Sequence, residues 1–328
     1  MATLSKNGLL DLLLQSLEVS GWNVLILNDD KPFRFKVYNQ ENRGFDVAIY
    51  IWNCTHGGGA KRAKNEYRVQ LTGQIPQKIP GAVTLLLGWH PGYEVFVGFD
   101  LAKHAGQNST SPSIQVKEDA LIGASTKSFS VYHRGNGEIA IAFRPELLIE
   151  YIFNILALHG SGLTEPEMSL LNDLNSVDDD ALDKIENIAR KRIVSTIART
   201  YRAIDFRQRV LTAYNNRCAV CGVQLKLIDA AHIIPAAVPS SNDQTNNGIA
   251  LCKLHHFSYD RNLISFDEQY RVEVSSSEVA KLTFDNKIGG IDDFKNNLRP
   301  ILLLPNDRRD RPPAAYIVES RRVRRWVG

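Results

Sequence analysis

Two short knuckles constrain this chain more than any other feature. Cys218-Ala219-Val220-Cys221 is followed by Cys252-Lys253-Leu254-His255. Each pair brings two soft or imidazole ligands to one point, and two such pairs are what a tetrahedral Zn²⁺ requires. The spacing predicts a structural Cys3His zinc site made of Cys218, Cys221, Cys252 and His255. The fourth cysteine, Cys54, stands alone. One isolated and three clustered cysteines make poor material for a disulfide framework and point to a reducing, cytoplasmic setting.

The same stretch holds a second set of residues: His232, Asn247, His256 and Asp260. His232 ends an expected strand over 227–232, and Asn247-Gly248 precedes a short apolar run over 249–251. A helix is expected to start near Cys252. His256 and Asp260, four residues apart, then share one helix face. His255 and His256 are adjacent, so they point about 100° apart on a helix. One can join the zinc cluster while the other turns to a different site.

This stretch resembles the HNH, or ββα-metal, nuclease family. It is most similar to the branch with Ala-His-Ile (231–233) at the first histidine and Asn-Gly-x-x-Leu-Cys-x-x-His-His (247–256) at the end. The resemblance covers about a fifth of the chain, roughly residues 205–270. It implies that His232 is the general base, that Asn247 orients the hairpin and the base, and that His256 binds a catalytic divalent metal. Asp260 falls where the family often places another ligand. One departure is Ala231, where many relatives carry a metal-binding Asp or His; Asp229, on the same strand face, is a possible substitute. The implied reaction is hydrolysis of DNA phosphodiesters leaving 5′-phosphate and 3′-hydroxyl ends. A neutral imidazole near pH 7 suits deprotonation of water. One hard cation, Mg²⁺ or else Mn²⁺ or Ni²⁺, stabilises the developing charge. Arg217 and Arg261 are candidate phosphate clamps.

Charge is uneven along the chain. The net formal charge is +3, yet residues 201–328 hold 19 basic against 14 acidic side chains, while 151–200 hold 5 against 8. Arginine clusters run from Arg190 to Arg217 and from Arg308 to Arg325. Such clusters are the footprint of a phosphate-backbone binder or simply a solvated face. Apolar residues make up 44 %, enough to bury a core, and no apolar run reaches the ~18 residues of a membrane span. No signal peptide is expected, because the apolar run over 9–14 is short and no small-residue cleavage site follows.

The expected architecture is α+β: a mixed-sheet domain over 1–160, a helical linker over 161–200, and an HNH domain with a basic tail over 201–328. A helix is expected over 6–17. Strands are expected over 22–27, 33–38, 45–52, 67–71, 83–89 and 95–99, mostly antiparallel, with a hairpin joining 131–133 to 139–143. The apolar segment 145–158 reads as a helix. The first domain is expected to recognise a DNA sequence or a modified base. Its aromatics, including Trp22, Phe33, Phe35, Tyr50, Trp52, Tyr67, Trp89, Tyr93, Phe96 and Phe99, either line a base pocket or fill the sheet core. Lys61, Arg62 and Lys64 sit in a Gly-rich basic segment that suits a DNA-backbone contact. Asp46, Glu66 and Arg68 faintly suggest the acidic pair of a second nuclease class. The expected protein is a restriction- or defence-type endonuclease acting on double-stranded DNA, as a homodimer. The alternatives are a ligand- or partner-triggered nonspecific nuclease and a zinc-stapled DNA-binding protein without activity.

Overall fold

The computed structural model describes residues 3–39, 44–56, 63–73, 75–105, 112–134, 137–160, 163–225 and 227–328. The chain divides into two compact units, Met1–Tyr201 and Arg202–Gly328. Lys61 and Arg62 lie outside the described residues, as do the Gly-Asn of the expected hairpin turn.

The first unit opens with α1 (Lys6–Val19), whose N-cap Ser5 accepts from the Gly8 N–H at 3.1 Å. Leu9, Leu13 and Leu17 fall on one face of this helix and are buried, the 3.6-residue period at work. The strands follow: β1 (Asn23–Asn28), β2 (Phe33–Tyr38), β3 (Gly44–His56), β4 (Glu66–Gln70), β5 (Ala82–His90) and β6 (Val95–Phe99). After the short α2 (Leu101–His104) come β7 (Ser113–Lys117), α3 (Glu118–Lys127), β8 (Phe129–His133) and β9 (Ile139–Phe143). The described strands form one sheet in the order β1-β2-β3-β5-β6-β9-β8, with β4 joining β3 to β7. Every pairing in it is antiparallel except β3 with β5, which run parallel. Phe33, Phe35, Phe96 and Phe99 are fully buried, so these aromatics fill the core. Burial on both faces makes β5 and β6 almost continuously apolar.

Besides the one-turn α2, the sheet region holds two elements not expected from the sequence, β7 and α3. In β7 only Ile114 and Val116 are buried, too brief an alternation to stand out. In α3 the buried side chains are Ala120, Leu121 and Ala124; small residues give a weak apolar stripe. The unit closes with α4 (Leu148–Gly160), α5 (Glu165–Leu171) and α6 (Asp179–Asp183). Thr164 and Glu167 form a capping box at the start of α5.

The helix α7 (Ile188–Ala213) runs across the division into the second unit. There β10 (Ile228–His232) pairs antiparallel with β11 (Gly248–Cys252), and α8 (Lys253–Asp260) follows directly. A second hairpin, β12 (Ile264–Phe266) with β13 (Val272–Val274), precedes α9 (Ser276–Phe284), α10 (Ile291–Asn296) and α11 (Ala314–Val323). Phe206, Val210, Ala231, Ile249, Leu251, Tyr259, Ile264 and Ile317 bury one another in its core. The order strand, strand, helix places the end of β10 and the face of α8 on a common core. No helix among the described residues is long and apolar enough to cross a membrane.

Candidate active site

The two knuckles converge. Cys218 Sγ lies 3.4 Å and Cys252 Sγ 3.3 Å from His255 Nδ1, and Cys221 Sγ is 4.0 Å from Cys252 Sγ. All four ligand atoms fall within 4.8 Å of one another. The edges of a zinc tetrahedron with sulfur and nitrogen ligands are about 3.5–3.8 Å, so the donor set and its spacing fit Zn²⁺. Hydrogen bonds from Cys252 and His255, working against burial, pull the Cys218 thiol well below its ordinary range. Among the described residues this is the one place where three or more such ligands meet.

His255 and His256 part as their helical offset requires. His255 is 1 % exposed and faces the cysteines. His256, with its side chain 24 % exposed, turns instead to Asp260, Nε2 to Oδ2 3.4 Å. One imidazole nitrogen and one carboxylate at this separation are a donor pair suited to a hard divalent cation.

His232 ends β10, opposite Gly248. Its ring stacks on Phe206 of α7, with centroids 3.9 Å apart and planes 11° off parallel. Its backbone carbonyl accepts from Arg324 Nη2 at 3.2 Å. The same guanidinium donates through Nη1 to Asp260 Oδ1 at 3.3 Å and lies over the Tyr259 ring. Arg324 thus holds the end of β10 and the end of α8 on one side chain. The sequence marked it only as part of a basic cluster.

Asn247 is fully buried. Its Oδ1 accepts from the Ile234 N–H at 3.0 Å, while Nδ2 donates to Ser241 Oγ at 3.2 Å and the Asn242 carbonyl at 2.8 Å. It therefore ties the segment after His232 to the start of β11, and none of these hydrogen bonds goes to the imidazole.

Several other candidates sit elsewhere or are already occupied. Ala231 is buried in the core. The carboxylate of Asp229 is ion-paired with Arg207 Nε at 2.9 Å and Lys253 Nζ at 2.7 Å. Burial opposes ionisation of Asp229, but Lys253 and Arg207 outweigh it and hold the carboxyl below its usual range. Arg217 and Arg261 are both exposed, the latter over the Phe257 ring. Some arginines of the two clusters are ion-paired. Arg190 pairs with Glu167, Arg209 with Asp205, Arg309 with Asp307, Arg321 with Glu273 and Arg322 with Glu319.

In the first unit Lys64 is exposed. Asp46 is not brought to Glu66 and Arg68. Arg68 pairs with Thr55 at the far end of β3, whereas Asp46 lies opposite Ala82. Nine residues of strand at 3.3 Å each separate the two positions by about 30 Å, so the suggested acidic constellation does not form. A mostly apolar cavity of about 920 Å³ is lined by Phe45, Val83, Leu101, Ile152, Phe153 and Leu156, among others. None of the aromatics singled out from the sequence lines it.

The HNH endonuclease family model matches residues 218–267, spanning both knuckles, β10, β11 and α8. The second unit carries an HNH endonuclease domain. A second family model, described as Methylase-associated X1, matches residues 45–152, within the first unit. Among curated proteins none matches the sequence. Among solved structures, a modification-dependent TagI restriction endonuclease is similar at 11 % identity over 84 % of this chain and 80 % of that one. Its TM-score is 0.28, at which level it bears on neither fold nor mechanism. In the HNH domain the sequence missed Asp243, Phe206 and Arg324 as neighbours of His232; only for Phe206, an aromatic on a long amphipathic helix, was there any local signal.

Proposed function

We propose that the chain is a divalent-metal-dependent DNA endonuclease of restriction or defence type. The observation that carries this reading is the Arg324 bridge. One guanidinium reaches both the His232 carbonyl and the Asp260 carboxylate, which puts the proposed base-bearing strand end beside the proposed metal-bearing helix face.

In this reading His232 takes a proton from water, and the hydroxide attacks phosphorus in line with the leaving 3′-oxygen. His256 and Asp260 would hold the catalytic Mg²⁺, Mn²⁺ or Ni²⁺, with water and substrate phosphate completing its shell. When bound, that cation supplies the charge that stabilises the phosphorane and the leaving oxygen. The products are 5′-phosphate and 3′-hydroxyl ends. Cys218, Cys221, Cys252 and His255 would hold a structural zinc. Arg217, Arg261 and Lys64 are exposed cations available to the DNA backbone.

The first unit would select the DNA, by sequence or by base modification. The family that matches residues 45–152 is described as Methylase-associated X1, which supports a partnership with DNA methylation. Each HNH site cuts one strand, so cleavage of a duplex would use two copies of the chain.

Digestion of methylated and unmethylated copies of one phage genome with Mg²⁺, followed by sequencing of the ends, tests this. Discrete 5′-phosphorylated fragments from one of the two substrates support the reading. Intact DNA with every divalent ion, despite retained binding, sinks it in favour of a DNA-binding protein without activity.

A further inference from the structure

Asp243 lies in the connection between β10 and β11, outside every motif read in the sequence. Its Oδ1 is 2.9 Å from His232 Nε2. An ionised carboxylate only accepts, so Nε2 donates and Nδ1 keeps its lone pair. No described residue bonds to that Nδ1. Asp243 is itself held by Arg209 of α7. Nη2 of Arg209 donates to the Asp243 carbonyl at 2.7 Å and Nη1 to Thr245 Oγ1 at 2.8 Å, while its Nε pairs with Asp205 at 2.8 Å. The ring plane is fixed independently by the stack on Phe206. A tautomer set by one contact and a ring plane set by another are what a general base needs before substrate arrives.

We propose that Asp243 is the positioning residue of His232, selecting Nδ1 as the basic nitrogen. This rests on the reading of His232 as general base. In the step, a water proton passes to Nδ1 and the resulting hydroxide forms the new P–O bond. The P–O3′ bond breaks, and the leaving oxygen takes a proton from solvent. Asp243 stays ionised throughout and faces the imidazolium that forms. Because its carboxylate is exposed, its effect is smaller than that of a buried triad carboxylate.

The test compares Asp243→Ala, Asp243→Asn and His232→Ala in the full chain, alone and combined, with thermal melts and zinc content measured alongside. Asp243→Ala is expected to lower kcat by about 30–100-fold, with KM for DNA and the half-saturating Mg²⁺ concentration within about threefold of the parent. Asp243→Asn preserves the shape, loses the charge, and is expected to fall about tenfold. In the His232→Ala background Asp243→Ala should cost nothing further, because it acts through the imidazole. Parental kcat in Asp243→Ala overturns the proposal. So does a further loss in the double variant, or a raised Mg²⁺ requirement, which would make Asp243 a metal ligand. If His232→Ala is inactive while Asp243→Ala cuts normally, the base reading stands and this inference alone fails. If His232→Ala cuts at the parental rate, both fall.

Discussion

Gly248 faces His232 across the β10–β11 ladder, and its missing side chain lets Phe206 reach the imidazole. A Cβ at position 248 would overlap Val210 Cγ2 and come within 2.9 Å of the Phe206 ring. The residue's φ is −117°, ordinary extended backbone, so the demand for glycine here is one of space. Gly248→Ala is expected to push α7 away, costing about 1–3 kcal/mol of stability and loosening the stack on His232. Denaturant unfolding together with kcat on a fixed duplex checks this; unchanged values for both would show that α7 yields freely.

Asn247 ties the segment after His232 to the start of β11 through hydrogen bonds to Ile234, Ser241 and Asn242. Asn247→Ala leaves the Ile234 N–H and the Asn242 carbonyl without their partner in a buried setting. A loss of about 2–4 kcal/mol is expected for the second unit, seen as a lower urea midpoint. Asn247→Asp should be no better, since it removes the donor that serves Ser241 and Asn242. If Asn247→Asp melts like the parent, the donor role is wrong.

The Cys3His cluster should hold one zinc per chain by elemental analysis. Structural zinc in small domains contributes about 10–16 kcal/mol of apparent binding free energy. Removal by a strong chelator should therefore unfold the second unit, while a separate transition from the sheet unit persists. Cys221→Ser should give less than one zinc per chain and the same selective loss. A chelated protein with an unchanged melting profile would show that the four ligands do not grip a metal.

Asp229 gives a pH signature. Its carboxyl is held below the ordinary value of 3.8 in the folded chain, so its ion pairs contribute stability above that value. The contribution is lost as pH falls through the lowered folded value. Asp229→Asn is expected to cost about 1–2 kcal/mol at neutral pH, with the gap to the parent narrowing below pH 3.8 and closing at lower pH. Urea titrations across that range measure it. A gap that persists at the acid end would mean the loss comes from packing.

The legible part of this molecule was the local part. Knuckle spacing, the strand ending in His232 and the helix carrying His256 and Asp260 are written in residues close together in the sequence. The partners of His232 are not. Phe206, Asp243 and Arg324 reach it from 26, 11 and 92 positions away, and no periodicity encodes such meetings. The ion pairs within the arginine clusters were legible only in part: Asp205 with Arg209 and Glu319 with Arg322 are one helical turn apart, whereas Glu167 and Glu273 reach Arg190 and Arg321 from distant positions in the sequence. In the first unit, the strands rich in β-branched and aromatic residues were readable, whereas β7 and α3 carried too few large apolar side chains to register.

The bridge from Arg324 to His232 also sets a timetable for synthesis. A ribosome that has just added His232 must add 92 more residues before the guanidinium that spans to Asp260 exists. Once Cys252 and His255 have followed, the nascent chain carries the imidazole and both knuckles, yet the brace to Asp260 is still absent. A chain broken off before α11 keeps both knuckles and the imidazole but lacks the guanidinium that ties the end of β10 to the end of α8.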